Sequence, residues 1–102
     1  MVSTGLVIRL QAAPGREADV TKFLDDVIPL VNAEPDTTAL LAVQFGPSEF
    51  GIINAFNDQR GLQEHFAGHA AALLSASAAQ LFSAPPAIES MTILGSKLPG
   101  GA

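Results

Sequence analysis

Hydrophobic and polar positions along the chain switch between a two-residue repeat and one of about 3.6 residues, and the switches mark the elements. Residues 6–11 (LVIRLQ) carry β-forming side chains, and Ala13-Pro14-Gly15 breaks the run before a helix that begins near Arg16. In that helix Val20, Phe23, Leu24, Val27, Ile28 and Val31 share one face, the clearest periodic signal in the chain. Pro29 removes an amide donor late in the same run, which predicts a kink or an early end. Residues 37–45 and 50–56 read as strands joined by Gly46-Pro47-Ser48-Glu49, a turn that sets them antiparallel. Asn57-Asp58 then supplies a cap for a helix over residues 58–82, with a break expected near Gly68 because Gly61 and Gly68 weaken its first half. Pro85-Pro86 stops that helix, and residues 87–94 form a last strand. The order β-α-β-β-α-β predicts a ferredoxin-like α+β fold, a four-stranded antiparallel sheet with both helices on one face.

A sheet with helices on one side and water on the other alternates apolar and polar residues along each strand. Residues 38–43 (TALLAV) and 50–53 (FGII) instead place apolar side chains on both faces. The face away from the helices would be an apolar patch in a monomer, and patches above roughly a few hundred Å² mark interfaces. A homodimer through the sheet face, with two sheets packed against each other, removes the exposure.

The chain's 102 residues bound it to one domain, residues 1–97, followed by a Pro- and Gly-rich stretch at 98–102 that reads as a flexible tail. Charged residues make up 15% of the chain, against about 25% for an ordinary soluble domain, which again fits a surface partly covered by a partner. The net charge is -5, and Arg9, Arg16, Lys22, Arg60 and Lys97 are scattered, so no nucleic-acid footprint is present. Cysteine is absent, which excludes disulfides, thiolate metal ligands and a thiol nucleophile. The start lacks the pattern of a signal peptide, and no apolar run approaches the ~20 residues that span a bilayer. A cytoplasmic protein with no membrane partner is expected.

Candidate chemistry concentrates between residues 50 and 69. His65 and His69 are i, i+4 neighbours on the second helix. A continuous helical wheel puts His69 in the middle of the stripe of Leu62, Phe66 and Leu73, facing inward, and His65 at its rim. Two histidines with no third ligand and no HExxH pattern make a weak metal signal, so no metal is expected. The plainer account is a partly buried, hydrogen-bonded histidine. The functional one is a pocket group that moves a proton, for which an unperturbed pKa near ~6.5 is suited. Asn54 sits in an apolar strand, where its amide needs backbone, water or a ligand carbonyl as partner. Arg9 interrupts the first strand and either faces the surface or reaches a ligand. No nucleophile constellation, phosphate loop or paired-carboxylate site is visible, and Asp25-Asp26 reads as a solvated helix pair.

The stretch FGIINAFNDQRGLQEHFAGH over residues 50–69, together with the Ala33-Glu34-Pro35 turn after the first helix, resembles the antibiotic biosynthesis monooxygenase family. In that family a strand ends in an aromatic residue, an Asn/Asp/Glu pair follows, and a helix brings in one or two histidines. The likeness runs over residues 6–97. It implies a dimeric α+β barrel built from ferredoxin-like subunits, a pocket near Asn54, Phe56, His65, Phe66 and His69, and oxygenation of a small aromatic quinol or polyketide without a cofactor. Asn54 would then orient a substrate oxygen and a histidine would move the proton, with Phe56, Phe66 and Arg9 as binding residues. Phe56 stands where the family strand usually ends in Trp, and the chain has neither Trp nor Tyr. That departure favours an alternative, a non-catalytic dimeric module that binds a small apolar ligand. Haem degradation, as in related barrels, fits poorly, because the Asn and Trp those enzymes use correspond here to Ile8 and His65.

Overall fold

The first strand, β1 (Thr4–Gln11), shows how the molecule divides its side chains. Thr4, Leu6, Ile8 and Leu10 are buried, whereas Arg9 and Gln11 are exposed and Val7 is half-buried. The same alternation governs β3 (Glu49–Phe56), whose Phe50, Ile52, Asn54 and Phe56 are buried. With β2 (Thr37–Gln44) and β4 (Ala87–Thr92) these strands form one antiparallel sheet in the order β2-β3-β1-β4. The computed structural model describes residues 1–99.

Helix α1 (Glu17–Asn32) lays Val20, Phe23, Leu24, Val27 and Val31 into the core, as its periodicity predicts, but leaves Ile28 37% exposed at the stripe's edge. The helix also continues past Pro29 to Asn32, which corrects the expected early end. Pro29 and the Asp25 residue one turn before it are both exposed, so water can serve the carbonyl that loses its donor, while Val27 and Val31 anchor the turn from the core side. The second helix is two: α2 (Gln59–Phe66) and α3 (His69–Leu81), separated at Ala67-Gly68. Asp58 caps α2 with its carboxylate accepting from the Gly61 amide at 3.0 Å. The far end of α3 is tied to β1 by bonds from the Ala13 amide to the Leu81 carbonyl at 2.8 Å and from the Ser83 amide to the Gln11 carbonyl at 2.9 Å. Phe23 of α1 meets Phe82 edge to face, with ring centroids 6.0 Å apart.

The result is the ferredoxin-like α+β architecture, with its second helix in two pieces. The opposite sheet face keeps the apolar character its sequence predicts: Leu41 is 61% exposed, Phe45 53% and Met91 36%, with Val7, Ile53 and Val43 half-buried beside them. Among the described residues no helix is long and apolar enough to cross a membrane. Of the stretch read as a tail, residues 100–102 lie outside the described residues.

Candidate functional site

Helix α2 approaches the loop between α1 and β2 unusually closely, and glycine makes the approach possible. A Cβ on Gly61 would stand 2.7 Å from the backbone oxygen of Asp36. His65 lies one turn later on the same face, and Gly68 three residues beyond it. A Cβ on Gly68 would lie 3.1 Å from Glu34 Oε2, so both glycines clear space for the loop at residues 34–36. The loop is itself held in place: the Glu34 amide donates to the Val31 carbonyl at 2.9 Å, Pro35 stiffens the next step, and the Thr37 amide returns to the Glu34 carbonyl at 3.4 Å. This docking brings His65 Nδ1 to 2.7 Å from Glu34 Oε1. Thr37 Oγ1 donates to that same oxygen at 2.9 Å, while Oε2 is enclosed and has no protein partner. Residue His65 is only 6% exposed.

A cavity of about 270 Å³ opens beside the imidazole, between the sheet and helices α2 and α3. Ile8, Leu40 and Ile52 form its floor, and Ala67, Ala70, Ala71 and Ala72 form much of its helical wall. Phe66, half-exposed, stands against the opening with its ring centroid 6.3 Å from that of His65. The lining is apolar apart from His65, Ser75 and backbone, and His65 is its one titratable group. Among the described residues no protein atom bonds His65 Nε2.

The expected site residues are thus divided. His65 and Phe66 line the cavity together. Phe56 is fully buried behind the imidazole, with ring centroids 5.5 Å apart, and supports it without reaching the cavity. Asn54 is 0% exposed, and neither its Oδ1 nor its Nδ2 has a protein partner; it lies in register between Leu6 and Leu40 and next but one to Ile52, just outside the lining. His69 corrects the expectation of an inward ring: it is exposed and does not line the cavity. The break at Gly68 restarts the helical phase at His69, so a single wheel through both histidines assigns the two directions the wrong way round. Arg9 projects from the opposite face of the sheet, where its guanidinium sits 5.2 Å from the Phe45 ring centroid, and it cannot reach the cavity beside His65. Among the described residues no group of three or more His, Asp or Glu side chains could hold a metal ion. Sequence reasoning passed over the Glu34 carboxylate, although the Ala-Glu-Pro turn that carries it was a signal.

No family model matches the chain, and no curated protein does. Among solved structures, a protein of unknown function from Nitrosomonas europaea is 50% identical over 99% of this chain and 98% of its own, with a TM-score of 0.96. A protein from Mycobacterium tuberculosis is 17% identical over 92% of this chain and 97% of its own, at a TM-score of 0.83. A Caulobacter crescentus protein named "putative antibiotic biosynthesis monooxygenase" is 16% identical over 92% of both chains, at 0.80.

Proposed function

Because the chain belongs to the same family as the Nitrosomonas europaea protein of unknown function, and has the antibiotic biosynthesis monooxygenase-like fold, we propose that it is a cofactor-independent monooxygenase of small aromatic quinols. The observation that carries the reading is the largely apolar cavity with one imidazole at its edge, backed by a carboxylate at 2.7 Å. A cavity of about 150 Å³ is enough for benzene, so about 270 Å³ has room for one or two fused rings.

In this reading His65 Nε2 takes a proton from a quinol hydroxyl. The quinolate supplies the electrons, and one of its ring carbons forms a bond to dioxygen. The resulting peroxide receives the proton back from His65; the O–O bond then breaks, the ring C–H proton leaves, and water departs. One quinol and one dioxygen yield one hydroxyquinone and one water, so no external reductant enters. The protein's part is to exclude water, seat the ring against Phe66 and move the proton. Asn54 is sealed from the cavity and His69 faces away from it, so the proton transfer rests on His65.

A second copy completes the reading by covering Leu41, Phe45 and Met91 of the sheet. Oxygen uptake with naphthohydroquinone, corrected for autoxidation, tests the activity. The wild type and His69→Ala should turn over alike, and His65→Ala should lose about 10²–10⁴-fold in kcat. A wild type that consumes no oxygen across one- and two-ring quinols, or a His65→Ala variant as fast as the wild type, overturns the proposal. The apolar lining and the lack of Trp and Tyr favour a second reading, a binding module without catalysis. Its signature is retained ligand, no turnover, and affinity unchanged in His65→Ala.

A further inference from the structure

We propose that Glu34 is a positioning residue that fixes both the tautomer and the ring orientation of His65; this rests on the reading of His65 as the base of the cavity. An ionised carboxylate only accepts hydrogen bonds, so the short contact to Oε1 requires the proton on Nδ1 and leaves the Nε2 lone pair for the substrate. In water an imidazole exchanges tautomers and rotates freely. Here Phe56 and Phe66 flank the ring, and the carboxylate holds its other edge.

The carboxylate is fixed in turn. Thr37 donates to the same Oε1, and the Val31 and Thr37 backbone bonds on either side of Glu34 set where its side chain begins. Gly68 lets Oε2 come close, since any larger residue would place a Cβ 3.1 Å away. Glu34 itself does not line the cavity, and it acts on a guest only through the imidazole. It also manages charge: when Nε2 takes a proton, the imidazolium formed is already bonded to a carboxylate, so no lone charge is left against an apolar cavity. Buried ionic partners of this kind hold a reactive imidazole in its working tautomer on unrelated folds.

Long-range proton–nitrogen correlation spectra of the His65 ring test the role directly, with His69→Ala used for assignment. The neutral wild-type ring should carry its proton on Nδ1. Glu34→Ala removes the acceptor that holds the proton on Nδ1, and should let it move toward Nε2. On naphthohydroquinone the same variant should lose about 100-fold in kcat, with KM within about twofold because the lining is untouched. A wild-type ring protonated on Nε2 overturns the proposal without any variant having to fold. So does a folded Glu34→Ala protein with wild-type tautomer and kcat. The expected tautomer and its shift in Glu34→Ala, in a protein that leaves naphthohydroquinone unoxidised, support the positioning role and overturn only the monooxygenase reading.

Discussion

Replacing Asn54 with Leu should make the protein more stable. The residue is 0% exposed, and both polar atoms of its amide lack a protein partner. Burying such an amide costs about 1–3 kcal/mol by protein mutational measures. Leu keeps the branching of the side chain and puts methyl groups where the oxygen and nitrogen stood. The methyls are fatter, and overpacking in a tight core can cost about 1 kcal/mol or more. The neighbouring Leu40 and Ile52 border the cavity, however, so the added volume has somewhere to go. A net gain of about 1–2 kcal/mol follows. In urea this is a rise in midpoint of about 1 M at unchanged slope, and in a thermal scan about 5–10 °C for a domain of this size. Both proteins should be measured at one concentration, because an associating protein has a concentration-dependent stability. A fall in midpoint of a similar size would refute the reasoning: the amide would then be satisfied in the folded protein, by ordered water or another group, and its removal would break those bonds.

Gly61→Ala sets two effects against each other. Alanine is the better helix former by about 1 kcal/mol, but its Cβ would sit 2.7 Å from a backbone oxygen, which cannot rotate away. The clash should win, with a net loss of about 1–2 kcal/mol in urea unfolding and a weakened His65–Glu34 contact; a stabilised variant would show that α2 does not depend on this approach. Leu41→Lys changes a side chain that is 61% exposed in one chain and should barely alter a monomer's folding. Sedimentation at micromolar concentration should nevertheless show the wild type as a dimer and the variant shifted toward monomer; a wild type that sediments as a monomer would count against the covered sheet face.

Strand and helix order could be read from the chain because short β-forming runs and the 3.6-residue repeat of α1 are separated by turn residues. Asp58 was visible as a cap and acts as one. A single helical wheel gives the two histidines the wrong directions for a specific reason: the break at Gly68 changes the helical phase before His69. In the sequence Gly61 and Gly68 show only what they cost a helix, whereas their use is to let α2 dock on the loop at residues 34–36. Glu34 escaped because a carboxylate and an imidazole 31 positions apart meet only through tertiary packing, and nothing periodic links them. Arg9 was identified as an interruption of an apolar strand, but its side of the sheet follows from register, which places it opposite Gly51 beneath Phe45.

The alanines of the helical wall separate two properties that most binding sites entangle. Ala67, Ala70, Ala71 and Ala72 border the cavity, yet of these only Ala70 is fully buried. Trading one of them for a bulkier residue would narrow the chamber to a single ring while leaving the imidazole and its carboxylate as they are. Descendants of this chain can therefore reshape the chamber, step by step, without disturbing the pair beside it.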